Sequence, residues 1–181
     1  GATQFWKFYE TVPDATPRNH SIYSISPHVS VTAGDTITAS MYVMAAERKK
    51  VNVYLDTPPW SPNNWPQANF DVSAGILINK TIQVDNAGIY EVGNIGASKV
   101  YRIYLTTTPA TVSADTKLVS RTLLDDDAAL YVGSPGAGIY ATRAQVTKNV
   151  LSDYIKTTTT AIEMSFAKWM SACSYCTRSA Q

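Results

Sequence analysis

Apolar and polar positions alternate with a period of two through most of the first hundred residues. In Thr36-Ile37-Thr38-Ala39-Ser40-Met41-Tyr42-Val43, the residues Ile37, Ala39, Met41 and Val43 fall on one side and Thr36, Thr38, Ser40 and Tyr42 on the other. That is the pattern of a half-buried strand. Lys50 to Asp56 repeats it with Val51, Val53 and Leu55, Gly75 to Val84 with Ile76, Ile78, Ile82 and Val84, and Lys99 to Thr107 with Tyr101, Ile103 and Leu105. Turn signals stand between these runs: Ala33-Gly34-Asp35, then Asp85-Asn86-Ala87-Gly88 before Ile89-Tyr90-Glu91-Val92, then Gly93-Asn94-Ile95-Gly96. Short strands separated by polar turns predict a mainly β fold, an antiparallel β-sandwich or jelly roll of roughly seven to nine strands.

After Thr106-Thr107-Thr108-Pro109 the pattern changes. Leu118 to Leu124 and Ala128 to Val132 read as further strands around Asp125-Asp126-Asp127, and Gly133-Ser134-Pro135-Gly136-Ala137-Gly138 reads as a flexible connector. From about Thr142 to Ala172 there is no Gly or Pro, and Val146, Val150, Tyr154, Ile162, Phe166, Trp169 and Cys173 recur at steps of three, four or eight. This spacing predicts a long C-terminal amphipathic α-helix. At 1.5 Å per residue it would run about 45 Å, so a break at Thr157-Thr158-Thr159-Thr160 is expected. The division that follows is a β-sandwich domain over 1–138 and a helical segment over 139–181 that packs on the sandwich or on a partner subunit. Tyr154, Ile162, Phe166 and Trp169 form the stripe such a neighbour would cover, which predicts a homo-oligomer or an assembly partner.

Composition narrows the function. The chain has 181 residues, a net charge of +1 and only 16% charged residues, against about a quarter in ordinary domains. A neutral surface rich in Ser, Thr and Tyr points to an extracellular or particle-surface setting, secreted or virion, and away from nucleic acid. The short basic run Arg48-Lys49-Lys50 reads as a solvated hairpin end. No apolar run is long enough to span a bilayer, so membrane insertion is not expected, and a start at Gly1 without Met fits a processed product, an excised domain or a tag scar.

Candidate chemistry is sparse. His20 and His28 are the only histidines and there is no G-x-S-x-G, which argues against nucleophilic catalysis. Cys173 and Cys176 have half-site metal spacing, but zinc needs two more ligands and the histidines lie at the far end of the chain; a small local disulfide, an intermolecular one or free thiols are the better readings. Three adjacent carboxylates at Asp125-Asp126-Asp127 point in different directions and predict a solvated turn in preference to a calcium site. No metal or cofactor is expected. Asn19-His20-Ser21 and Asn79-Lys80-Thr81 satisfy the glycosylation rule, making Asn19 and Asn79 candidate acceptors.

The segment from Thr57 to Phe70 carries Pro58, Pro59, Pro62 and Pro66 together with Trp60 and Trp65. The prolines predict an extended, partly rigid loop. Its indoles either fold back over an open end of the sandwich or form a contact surface with Asn63, Asn64, Gln67 and Asn69 as neutral hydrogen-bonding partners. Aromatic platforms beside amides suit a sugar ring or a protein interface.

Phe5-Trp6-Lys7-Phe8-Tyr9-Glu10-Thr11-Val12-Pro13-Asp14, followed by Val29-Ser30-Val31-Thr32-Ala33-Gly34-Asp35-Thr36-Ile37-Thr38-Ala39-Ser40, resembles part of the glutamic peptidases of the eqolisin type over about forty residues. The resemblance implies a secreted β-sandwich. It does not imply their activity, because the family's Gln-bearing region would precede Gly1 and its Ala-Glu-Trp segment has no counterpart downstream. Glu10 matches a motif position and reads as a strand-edge carboxylate. The expectation is therefore a non-enzymatic extracellular or particle-surface structural or attachment protein that acts by self-assembly or binding. Alternatives are a carbohydrate-binding module using the Trp/Asn loop and a degenerate glutamic-peptidase-like domain.

Overall fold

The computed structural model describes residues 5–10, 17–23, 29–56, 65–110, 113–148 and 151. In chain order these contain β1 (Trp6–Tyr9), β2 (Arg18–Asn19), β3 (Ser21–Tyr23), β4 (Val29–Val31), β5 (Ile37–Met44), β6 (Lys50–Asp56), β7 (Gln67–Asp71), β8 (Ile76–Lys80), β9 (Asn86–Ile95), β10 (Ser98–Thr107), β11 (Ser113–Leu123), β12 (Leu130–Tyr131) and β13 (Gly138–Lys148). Four of these thirteen are only two or three residues long, which is why alternation alone predicts fewer.

Two antiparallel sheets carry the fold. Sheet I runs β1-β13-β5-β10-β9, and sheet II runs β3-β11-β6-β7-β8 with β4 also on β11; β12 and β2 form a small separate ladder. The inward rows are those the alternation predicts. Ile37, Ala39, Met41 and Val43 of β5 meet Val51, Val53 and Leu55 of β6, with Tyr101, Ile103 and Leu105 of β10 and Phe70 of β7 completing one apolar core. Burying a side chain of this size contributes about 1.5–3 kcal/mol before conformational entropy is subtracted.

Two expectations are corrected. The run 75–84 is not one strand with its isoleucines inward: Ile76 and Ile82 are exposed, Ile82 at 94%. A register shift between Asn69 and Phe70 places Leu77 opposite Phe70, so Leu77 packs on the core instead. The helix predicted from about Thr142 does not begin there, since 142–148 continue β13 between β1 and β5, and the sandwich extends past residue 138. A step of four is ambiguous, because it keeps one face of a helix and also one face of a strand. The register shift between Thr142 and Gln145, with Arg143 at φ 52°, lets both Ala141 and Val146 turn to the core despite their odd spacing. The interface stripe Tyr154, Ile162, Phe166 and Trp169 and the pair Cys173 and Cys176 lie outside the described residues, as do Trp60, Asn63, Asn64 and His28.

Candidate functional site

The most densely bonded carboxylate among the described residues is Glu10, at the end of β1. Its side chain is 3% exposed and accepts two hydrogen bonds from Arg48, Nε to Oε1 at 2.8 Å and Nη2 to Oε2 at 2.7 Å. The Tyr131 hydroxyl donates to it at 2.8 Å and the Ser134 backbone N–H donates as well. Burial alone would push the Glu10 carboxyl up, but the bonds from Arg48, Ser134 and Tyr131 together outweigh it and hold the group below its ordinary value. The carboxylate in turn raises the Arg48 guanidinium. Burial drives the Tyr131 phenol well above its usual value, so it stays a neutral donor.

The cluster extends outward through Tyr131. Thr122 lies 2.6 Å from the Tyr131 hydroxyl, His20 stacks on the Tyr131 ring at 4.4 Å, and Arg48 sits 4.8 Å from the ring centroid on its face. Backbone bonds between Glu10 and both Gly136 and Ala137 complete the clamp. The connector Gly133–Gly138, read from sequence as flexible, is thus pinned to β1. Every lone pair that a general acid or nucleophile would need is already used, and a carboxylate held ionised by a bidentate Arg is a poor proton donor. The arrangement is suited to holding structure together. Sequence spacing gives no hint of it, because Glu10 and Arg48 are thirty-eight positions apart.

The acidic turn behaves similarly. Lys50 donates to Asp127 Oδ1 at 2.9 Å and to the Asp125 carbonyl, and Asp127 sits at φ 68°. The Lys50 ammonium thus ties one carboxylate and one carbonyl of the turn to β6.

A second polar cluster lies on the outer face of sheet II. Trp65 stacks on Tyr54 with ring centroids 5.0 Å apart, and Thr81 ties its carbonyl to the start of β8's following turn. Register then sets side chains in a transverse row: Arg121 opposite Asn52, Asn52 opposite Asn69, Asn69 opposite Asn79. Gln67 stands opposite Tyr54 in the next row. Of the six residues predicted for the loop surface, Trp65, Gln67 and Asn69 are therefore brought together; Asn52 and Arg121 were missed. Their outward positions on alternating strands were the available signal. Asn19 and Asn79 are both exposed, on β2 and β8.

The third feature is apolar. Seven large hydrophobic residues are exposed among the described residues, and five of them, Ile76, Ile82, Tyr90, Val92 and Ile95, belong to β8, β9 and their connecting turns. These two strands are the terminal strands of their sheets on the same side of the sandwich, and they lie against each other. A scan against protein-family models finds no match, and no curated protein matches the chain.

Proposed function

We propose that the chain is a non-catalytic β-sandwich of an extracellular or particle surface that works by associating with further copies of itself through its β8/β9 side. The observation that carries this reading is the concentration of exposed apolar side chains where both sheets end. Monomeric domains blunt long edges with lysine, proline or a covering loop. β9 has ten residues, about 33 Å, interrupted by one bulge at Val92, and its only charged side chain is Glu91, paired with Lys99 at 2.8 Å. Outward backbone groups on such an edge are met most directly by an antiparallel strand from a second copy. The low charge of the chain, +1 overall, removes the repulsion that would oppose packing like on like.

The same reading accounts for Glu10. Its carboxylate is consumed by Arg48, Tyr131 and Ser134, which supports a structural role at the position where the eqolisin resemblance falls. The test is size-exclusion chromatography with light scattering on the wild type and on Val92→Lys. A defined oligomer that the lysine dissolves supports the proposal; a wild type that is monomeric across the accessible concentration range removes it.

A further inference from the structure

The outer face of sheet II carries an inference independent of the association side. Its amide oxygens are turned inward. Asn52 Oδ1 accepts from Arg121 Nε at 2.8 Å, Gln67 Oε1 accepts from Arg121 Nη2 at 2.9 Å and from Asn52 Nδ2 at 3.3 Å, Asn69 Oδ1 accepts from Asn52 Nδ2 at 2.6 Å, and Asn19 Oδ1 accepts from Arg121 Nη1 at 3.4 Å. The amide nitrogens of Gln67, Asn69 and Asn19 have no hydrogen-bond partner among the described residues, and all three residues are accessible. The face therefore presents a set of outward N–H donors whose amide oxygens are turned toward Arg121 and Asn52.

Beside that set stands the partly exposed Trp65, its orientation fixed by the stack on Tyr54. Tyr54 and Asn52 are two residues apart on β6, about 7 Å along the strand, and the row from Arg121 through Asn52 and Asn69 to Asn79 crosses four strands, about 14 Å. A ligand for this surface must offer several acceptor oxygens a few ångströms apart and one flat apolar patch. The outward donors are neutral amides, and the one cation of the network, Arg121, points its N–H groups at the oxygens of Asn52, Asn19 and Gln67.

We propose that this face binds a saccharide, with the apolar side of one ring on Trp65 and the hydroxyl and ring oxygens of that residue and its neighbour on the amide nitrogens of Gln67, Asn69 and Asn19. The network through Arg121 and Asn52 is the positioning layer, because it fixes which end of each amide faces out. Amides held by Arg121 and Asn52 lose little entropy on binding.

The experiment is retention of the full chain, made in a host without N-glycosylation so that Asn19 and Asn79 are bare, on an array of neutral and uronate-containing oligosaccharides, followed by titration calorimetry with the best-retained one. Asn69→Asp keeps the size of the side chain and the oxygen that Asn52 needs but replaces the outward donor by an acceptor. It is expected to weaken binding at least tenfold at nearly unchanged melting temperature, and Trp65→Ala is expected to abolish retention. Should Trp65→Ala unfold, Asn69→Asp and Asn19→Asp decide alone. No retained saccharide for the wild type, or affinity unchanged in the aspartate variants, overturns the proposal. Because Val92→Lys leaves this face untouched, loss of assembly without loss of retention separates the two readings.

Discussion

The two edges of sheet I are built in opposite ways. β1 is four residues long, its end is clamped by Glu10 to Arg48, Tyr131 and the 134–137 backbone, and Lys7 bridges to Glu47 at 2.7 Å. β9, at the other edge, is ten residues long and leaves Tyr90, Val92 and Ile95 in solvent. At the end of β1 the buried carboxylate is saturated, and the gain is a fixed edge. Among the described residues no strand pairs the outer edge of β9, and apolar groups are exposed there too. β9 is interrupted by the bulge at Val92 and carries one charge, Glu91, so the proposed association rests on its exposed apolar side chains more than on an unguarded ladder.

Three substitutions at the closed edge measure how much that closure contributes. Glu10→Gln removes the charge opposite a largely buried Arg48 and leaves a guanidinium without its counter-ion. Breaking such a pair costs about 3 kcal/mol, to be read as a lowered urea midpoint at pH 7. Gly138→Ala comes next. A Cβ there would lie 2.0 Å from the Phe8 carbonyl oxygen, a backbone atom that cannot move without separating β1 from β13. A loss of about 2 kcal/mol is expected, and an unchanged midpoint would mean that β1 does not sit as described. Lys7→Ala is the smallest: Glu47 is half in water, so the loss should stay under about 1 kcal/mol and vanish in high salt.

The pH dependence sharpens the first of these. Because the folded-state pKa of Glu10 is depressed below 4.5, its contribution is present above the unfolded value and is lost as the pH falls through the folded one. The stability gap between wild type and Glu10→Gln should therefore be constant near neutrality and narrow below about pH 4.5. A gap that widened in acid would place Glu10 as a protonated donor and revive an acid-catalytic role.

How much of this was legible beforehand follows from the range of each interaction. The inward rows of β5, β6 and β10 could be read directly, because a strand buried on one face writes its period into neighbouring residues. Gln67, Asn69 and Trp65 were legible as a polar-aromatic cluster for the same local reason. Glu10 with Arg48, and Asn52 with Arg121 sixty-nine residues away, were not, since nothing in a single sequence pairs distant polar residues. β13 was misread because Val146 satisfies both a helical and a strand period, and only the register shift at Arg143 distinguishes them. The exposed Ile76 of β8 failed for a related reason: alternation marks a face, but a shift in register decides which residue fills it.

The association of the β8/β9 side is tested most directly by the molar mass of the wild-type chain in solution, measured by light scattering across a hundredfold range of concentration beside Val92→Lys. A wild-type mass at a multiple of 19.7 kDa, falling to the monomer in Val92→Lys with the same circular dichroism, is the predicted result. A single mass of 19.7 kDa for both proteins at every concentration would contradict the account.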